Sequence, residues 1–217
     1  MSHPYTGYLV CRDNYFTNPE EVIKLSKMCN FSRSTYYPGI RTGNLLGIED
    51  PGIKDFADWF ADRVSIDVFP LIRNFEFFLC FHINEPCDDM NYNKGWIHTD
   101  YGNLAGLVYL TEGESDMNTG TSIFDPDRTD INDIQELPTD KEALKNFYLH
   151  EKITPEYVTG FKNNLDLFES KETIRIGNKY NRLIGYDSKL WHRPNSFTTV
   201  SNAPRLTLLF FVSQFNY

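Results

Sequence analysis

The sequence lacks the features that mark secreted and membrane proteins. Its four cysteines form no Cys-x-x-Cys pair, so we expect neither a disulfide framework nor a structural zinc site. No apolar run approaches the length of a membrane span, and the first residues carry neither a basic segment nor an apolar one. We therefore expect a cytoplasmic protein that makes no contact with a membrane.

Positive charge is also scarce. The 217 residues include 21 Lys and Arg against 30 Asp and Glu, which gives a formal net charge of -9 at pH 7. A protein that binds a nucleic-acid backbone needs a basic surface, so the charge argues against a nucleic-acid partner. We expect a small molecule or a peptide as the substrate, and the sequence leaves the oligomeric state open.

Aromatic residues, in contrast, are abundant. They make up 15% of the chain, with 17 Phe and 13 Tyr, which is typical of strands around a large aromatic core. A chain of 217 residues is long enough for one well-buried domain. Since no internal repeat is visible, we expect residues 1–217 to form a single domain.

Residues 1–74 are expected to provide helical support. Asn18-Pro19-Glu20-Glu21 has the order of a helix start, with Asn at the N-cap and Pro in the first turn. A second helix is expected to begin after Pro51. Its apolar face would consist of Ile53, Phe56, Trp59, Phe60 and Val64.

From residue 75 the pattern changes to short strands separated by turn residues. We expect strands at 75–83, 95–100, 104–110, 121–124, 181–187, 190–193 and 206–213. Strands of this length and spacing indicate a mainly β fold with flanking helices, an α+β class built on a sandwich or jelly roll. Residues 75–125 and 181–214 would form that core.

Residues 126–180 interrupt the strand pattern. They contain two expected helices, one that starts near Thr139-Asp140 and another over about 155–168. A stretch of this length within a β domain is either a lid over a functional site or a packed addition to the fold. The sequence leaves both alternatives open.

One set of residues in the expected strands has the composition of a metal site. His98 and Asp100 are two residues apart, so a strand would place both side chains on the same side. His192, on another strand, would supply a third ligand. Two imidazoles and one carboxylate leave the opposite positions of a metal open, as in non-heme Fe(II) oxygenases. With five His and seventeen Asp in the chain, a His-x-Asp match also arises by chance, and the alternative is an exposed pair beside a core histidine.

The last expected strand carries a charge in an apolar setting. Arg205, Thr207 and Leu209 share one face of this strand, and an unpaired buried charge is very costly. A bound carboxylate, with Thr207 as a second donor, would satisfy the guanidinium group of Arg205. A salt bridge to an acidic residue is the alternative, and Arg182 and Arg193 are rival candidates one residue off the pattern.

Five segments resemble the catalytic core of 2-oxoglutarate/Fe(II)-dependent oxygenases, and most of all the prolyl 4-hydroxylase-like branch. In chain order they are 95–100 (GWIHTD), 107–111 (LVYLT), 120–124 (GTSIF), 181–187 (NRLIGYD) followed by 190–192 (LWH), and 205–207 (RLT). Asn14-Tyr15-Phe16 before Pro19-Glu20-Glu21 is also similar to how such domains often begin. Five elements in the right order are far more specific than any one of them.

The resemblance implies a double-stranded β-helix (jelly-roll) core and a role for each matching residue. It implies that His98, Asp100 and His192 are catalytic and bind Fe(II). Arg205 would bind the distal carboxylate of the cosubstrate 2-oxoglutarate, helped by two further residues, Thr207 and Tyr109.

The implied activity is hydroxylation of a peptide side chain, of the prolyl type, or of a small amino-acid-like substrate. 2-Oxoglutarate and O2 would be consumed, and succinate and CO2 released. Two alternatives stay open: a non-catalytic metal-binding or scaffold jelly roll, and a cupin-like metal enzyme that does not use 2-oxoglutarate. The chain departs from the family pattern in having Thr119 before Gly120 in place of paired glycines, a longer spacing from His192 to Arg205, and a large insertion after Pro126.

Four further residues lie near these segments. Trp96 and Trp191 flank the candidate ligands and would either line the site or pack in the core. His82 is expected to be a structural core histidine rather than a fourth ligand. Arg41, in an expected exposed loop, is taken as a solvated side chain, with contact to an acidic substrate as the alternative.

Overall fold

The computed structural model describes residues 6–70, 75–85, 90–113, 115–125, 141–150, 152–168, 171–199 and 201–214. Its strands are β1 (Leu9–Arg12), β2 (Ser32–Arg33), β3 (Ile40–Arg41), β4 (Phe75–Asn84), β5 (Leu104–Tyr109), β6 (Asp116–Phe124), β7 (Glu172–Asn178), β8 (Leu183–Asp187), β9 (Trp191–Pro194) and β10 (Arg205–Gln214). Its helices are α1 (Pro19–Lys27), α2 (Pro51–Asp67), α3 (Lys141–His150) and α4 (Pro155–Phe168). None of the described helices combines the length and the apolar character needed to cross a bilayer.

The strands form two antiparallel sheets. The large sheet has the order β1-β8-β5-β10-β4-β3-β2, and the small sheet has the order β7-β6-β9. His98 extends the small sheet by an isolated bridge to His192 on β9. The expectation of a mainly β fold with flanking helices is therefore confirmed.

Both faces of the large sheet pack against other elements. Its outer face packs against α1 and α2, where Phe60 and Val64 share a cluster with Leu208 and Phe210 of β10. Its inner face contacts the small sheet through Ile176 of β7 and the residues around it. Burial of a large apolar side chain contributes about 1.5–3 kcal/mol, so both faces stabilise the position of the central strands.

The two N-terminal helices occur where the sequence predicts them, with two differences in detail. Asn18 lies at the N-cap of α1, but its side chain makes no capping hydrogen bond. The side chain of Asp50 does cap α2, because it accepts from the backbone N of Ile53 at 3.1 Å. Trp59 is 48% exposed, so the apolar face of α2 is narrower than the periodicity suggests.

The strand boundaries differ from the prediction in three places. Within the described residues, 95–100 contribute only the bridge at His98 and not a regular strand. β7, which pairs with β6, lies inside the stretch 126–180 that the sequence assigns to an insertion. β1 pairs with β8, and β3 pairs with β4, so the N-terminal third supplies strands as well as helices.

The two helices of the stretch 126–180 pack against segments that flank the small sheet, and Phe168 of α4 also contacts Phe124 of β6. Phe147 of α3 and Tyr157 and Phe161 of α4 form a buried cluster with Trp96 and Phe197. The helices therefore contact the segment that leads into His98. Cys11, Cys29 and Cys80 are free thiols, and Cys87 lies outside the described residues.

Candidate functional site

His98, Asp100 and His192 lie together. One ligand atom from each falls within 4.8 Å of the others. The Nε2 atom of His192 is 3.2 Å from Oδ2 of Asp100, and Nε2 of His98 is 3.7 Å from Oδ1 of the same carboxylate. Three donors at these distances surround a space that fits a single metal ion, with two nitrogens and one carboxylate oxygen.

Backbone hydrogen bonds bring the three residues together. His98 and His192 exchange a pair of backbone bonds, of 3.0 and 2.9 Å, and the backbone N of Asp100 donates to the carbonyl of Ser188 at 2.8 Å. The segment that carries His98 and Asp100 is thus fixed against β9 and the turn that precedes it. This pairing replaces the regular strand that the sequence predicts over 95–100.

Both imidazoles are oriented by a carbonyl two residues earlier in the chain. Nδ1 of His98 lies 2.8 Å from the carbonyl oxygen of Trp96, and Nδ1 of His192 lies 2.9 Å from that of Leu190. Because a carbonyl only accepts, each Nδ1 carries the hydrogen of the neutral ring. Each Nε2 therefore faces the Asp100 carboxylate, where a metal would replace a proton, in the orientation that second partners of metal-bound histidines usually impose.

The charges of Asp100 and His192 support one another, whereas burial and the neighbouring His192 lower the pKa of His98. Burial disfavours the charged form of Asp100, but the neighbouring His192 and His98 outweigh it and set the pKa of Asp100 to about 2. Burial opposes the charged form of His192 as well, and Asp100 more than compensates, so the pKa of His192 lies above its usual value. Asp100 is therefore ionised at neutral pH and available as an anionic ligand.

The site lies between the two sheets. The ring of His192 contacts Tyr186 at a centroid distance of 4.7 Å, and Tyr186 belongs to the inner-face cluster of the large sheet. The His192 side chain is 5% exposed, that of Asp100 is 20% exposed, and that of His98 is 47% exposed. The group is thus open to solvent on the His98 side, where a ligand can enter.

Arg205 is buried on the same interior. It is 3% exposed, its Nη1 atom donates to the carbonyl of Thr119, and its guanidinium carbon is 5.8 Å from the centre of the Tyr109 ring. Its Nε atom is enclosed and has no hydrogen-bond partner. Burial lowers the pKa of Arg205, and no acidic side chain in the described ranges forms an ion pair with it. The salt bridge considered from sequence is therefore not present among these residues.

Tyr109 and Thr207 lie beside Arg205. They are directly opposite each other on β5 and β10. The hydroxyl of Tyr109 shares a hydrogen bond of 2.8 Å with Thr121, whereas Thr207 donates to the carbonyl of His82 over a longer distance of 3.4 Å. Both hydroxyls form hydrogen bonds within the protein, and these bonds fix the side chains that surround Arg205.

The two rival arginines have other surroundings. Arg182 forms an ion pair with Asp13, in which Nε is 2.5 Å from Oδ1. The guanidinium carbon of Arg193 lies 5.4 Å from the centre of the Phe124 ring. Arg193, like Arg205, is buried beside an aromatic ring, but its charge acts on the carboxylate of Glu172, whereas the charge of Arg205 faces neutral groups.

The other aromatic and histidine candidates belong to the core. Trp96 packs against Tyr157 and Phe161 of α4, and Trp191 packs on Phe168 at 4.8 Å between ring centroids. His82 is buried, and its Nε2 donates to the carbonyl of Pro38 at 2.7 Å. Burial holds the pKa of His82 well below its usual value, so it is a neutral structural histidine.

Sequence reasoning missed Asn164, a residue that holds the segment before His98. Its Oδ1 accepts from the backbone N of Ile97 at 2.8 Å, and its Nδ2 donates to the carbonyl of the same residue at 2.9 Å. Asn164 is 1% exposed. One signal was available: Asn164 falls on the apolar face of α4, at helical spacing from Phe161 and Phe168, where a polar side chain needs a buried partner.

A sequence model of one protein family covers nearly the whole chain. The family is described as a family of unknown function, DUF6445, and the match spans residues 5–212. No curated protein sequence is significantly similar to this chain.

Several solved structures are similar at low sequence identity. A prolyl-4-hydroxylase from Pseudomonas putida is 12% identical, with 97% of this chain and 95% of that chain covered at a TM-score of 0.55. An oxidoreductase of the 2OG-Fe(II) oxygenase family from Burkholderia pseudomallei is 10% identical, with 96% and 85% covered at a TM-score of 0.58. HygX from Streptomyces hygroscopicus, solved with nickel, 2-oxoglutarate and hygromycin B, is 12% identical, with 98% and 85% covered at 0.54. Similarity at these identities shows a shared fold.

Proposed function

Since the chain belongs to the family of unknown function DUF6445, its activity has to be argued from the site, and we propose an Fe(II)- and 2-oxoglutarate-dependent dioxygenase. The proposed core is a double-stranded β-helix, or jelly roll. The proposed reaction is hydroxylation of a peptide side chain or of a small amino-acid-like molecule. The observation that supports it most directly is that the cluster of His98, Asp100 and His192 lies between the sheets together with Arg205, a buried arginine that has no ion-pair partner among the described residues.

The donor set fits iron. His98, Asp100 and His192 would occupy three positions of the metal and leave the others for small ligands, the arrangement found in non-heme Fe(II) oxygenases. Both rings present Nε2 with Nδ1 held by a carbonyl, so no rearrangement is required for binding. The presence of Asp100 favours hydroxylation over halogenation, because a carboxylate fills the position that a halide would need.

The environment of Arg205 fits the distal carboxylate of 2-oxoglutarate. A guanidinium group that is 3% exposed and has an unpartnered Nε needs an anion. A carboxylate is matched to the geometry of the group and forms strong charge-assisted hydrogen bonds with it. The ring of Tyr109 and the carbonyl of Thr119 keep the guanidinium in place to receive this anion.

Each part of the site then has a task in the proposed reaction. Iron, when bound, supplies the oxidative chemistry, in which 2-oxoglutarate and O2 are converted to succinate and CO2. Asp100 and the two histidines hold the metal, and Arg205 fixes one end of the cosubstrate so that its other end meets the metal in one orientation. A scaffold protein, or a metal enzyme without 2-oxoglutarate, has no use for a buried carboxylate-binding arginine.

Anaerobic reconstitution tests the proposal. We expect the protein to show the weak visible charge-transfer band of the iron–2-oxoglutarate chelate, and His192→Ala to abolish it. Arg205→Ala should retain iron but bind 2-oxoglutarate at least about tenfold more weakly, because hydrogen bonds to charged groups contribute about 1.5–3 kcal/mol. Arg12→Ala, which removes an exposed arginine, is the control.

Two results would contradict the proposal. The first is absence of the band in the wild-type protein together with unchanged iron affinity in His192→Ala. The second is loss of iron in Arg205→Ala, which would mean that this arginine supports the metal and not the cosubstrate.

A further inference from the structure

Arg41 lies on the inner face of the large sheet. It pairs directly with His82 on β4, His82 pairs with Thr207 on β10, and Thr207 pairs with Tyr109 on β5. Side chains of directly opposite residues project from the same face of a sheet. The four side chains therefore form one row across β3, β4, β10 and β5 on the interior face, with Arg41 at one end and Tyr109 at the other. This position corrects the expectation of a solvated arginine in an exposed loop.

The segment that carries Arg41 is fixed in place. Gly39 has a positive φ of 72°, and a Cβ at this residue would lie 2.2 Å from the backbone oxygen of Ile83. The carbonyl of Pro38 accepts from His82 at 2.7 Å. The guanidinium carbon of Arg41 lies 3.9 Å from the centre of the Tyr37 ring. Its direction is thus set before any ligand arrives.

Among the described residues, no carboxylate forms an ion pair with Arg41. Its Nε is enclosed without a hydrogen bond. Four ionisable groups act on the charge of Arg41, namely Cys80, Tyr37, Asp100 and Tyr148, and this charge in turn acts on His82, His98 and Tyr186. Thiols and phenols are neutral at pH 7, and burial raises the pKa of Cys80 to about 11 and that of Tyr148 to about 12. Asp100 is the only anion of the four, and the proposed function assigns it to the metal.

Arg41 differs from Arg205 in access. Arg205 is fully buried, whereas Arg41 is partly exposed, so a molecule from solvent can reach it. Arg41 lies at the end of its row opposite Tyr109, in the same interior that holds His192 and Asp100. A single guanidinium matches the charge of one carboxylate.

We propose that Arg41 binds a carboxylate of the primary substrate, so that the enzyme acts on a free carboxylic acid of amino-acid size. This inference rests on the proposed function, because it takes the metal and 2-oxoglutarate to occupy Asp100 and Arg205. Tyr37 orients the guanidinium, and the substrate carbon to be oxidised lies between Arg41 and the metal.

The test compares acids with their amides on protein loaded with Zn(II) and 2-oxoglutarate. Acetylated glycine, proline and phenylalanine are each titrated as the free acid and as the carboxamide, with binding followed by ligand-observed NMR. We expect at least one acid to bind about tenfold or more tightly than its amide, as charge-assisted hydrogen bonds allow. Arg41→Gln should reduce that preference to about twofold or less and leave the affinity for 2-oxoglutarate unchanged. Arg33→Gln, on the neighbouring strand β2, is the matched control and should keep the preference.

Three results would overturn the inference: no preference for any acid in the wild-type protein, a preference that survives Arg41→Gln, or a loss of 2-oxoglutarate affinity in Arg41→Gln. The titrations are repeated with Zn(II) alone. If 2-oxoglutarate fails to bind the wild-type protein, the proposed function fails, while the acid–amide comparison with Zn(II) still decides the role of Arg41.

Discussion

The two hydrogen bonds from Asn164 to Ile97 give a quantitative test of how the metal site is held. Asn164→Leu replaces the amide with an apolar side chain of similar size and leaves the backbone N and O of Ile97 without partners. Each buried polar group left unsatisfied costs about 1–3 kcal/mol. The better helix propensity of leucine returns about 0.5 kcal/mol. We therefore expect the free energy of unfolding to fall by about 1.5–5.5 kcal/mol.

The same substitution should weaken metal binding. Ile97 precedes His98, and the two hydrogen bonds from Asn164 fix the backbone of Ile97 to α4. Loss of a group that orients a metal ligand typically reduces metal affinity about 10–100-fold. We expect a decrease of that size in Zn(II) affinity, measured by competition with a chelator at a temperature where the variant is folded.

Urea unfolding of the metal-free protein measures the first effect separately from the second. Asn163→Leu is the matched control, because Asn163 is the exposed neighbour on the same helix and its substitution should change stability by less than about 0.5 kcal/mol. Asn164→Asp keeps the acceptor for the Ile97 N–H but loses the donor, and it places a carboxylate oxygen against the Ile97 carbonyl. If Asn164→Leu matches the Asn163 control in both stability and Zn(II) affinity, the argument that α4 positions His98 is refuted.

Two further predictions concern stability. The hydrogen bond from Arg182 holds the pKa of Asp13 below its usual value, so the pair stabilises the fold fully above about pH 4 and progressively less as the pH falls further. Because the Asp13 side chain is 35% exposed, we expect Asp13→Asn to lose at most about 1 kcal/mol in urea unfolding at pH 7 and less than that at pH 3; an equal loss at both values would contradict this. Gly120→Ala places a Cβ 1.8 Å from the backbone oxygen of Ile176, so β6 and β7 must separate, at about 1–3 kcal/mol. Gly43→Ala is the control, because nothing lies within 4 Å of the added atom. Equal urea midpoints for the two variants would show that the sheet accommodates the added Cβ without loss of stability.

The residues proposed as metal ligands could be named from sequence because their chemistry is local. The chain has only five histidines, and the two-residue spacing of His98 and Asp100 places both on one side of an extended segment. The backbone pairing that brings them together differs from the prediction, because an isolated bridge between His98 and His192 takes the place of a regular strand. The pattern thus identified the side chains correctly as neighbours without describing the backbone that joins them.

Features that depend on contacts between distant residues could not be predicted. The partner of Asn164 is 67 residues away, and no local pattern specifies Ile97. Arg41 lies in a segment rich in turn residues, and only its pairing with β4 places it in the interior. The first half of β7 is exposed and carries charged residues, so it lacked the apolar density that marked the other strands.

The position of β10 has a consequence for biosynthesis. It is the last described strand of the chain, yet it lies in the middle of the large sheet, between β4 and β5. Arg205 pairs with Asn84 across more than a hundred residues of sequence. Pairings between residues so far apart in sequence form slowly, and this one cannot form until β10 leaves the ribosome. A nascent chain therefore holds β4 and β5 without the strand that joins them until β10 has been synthesised, and unpaired strand edges at this stage are prone to aggregation.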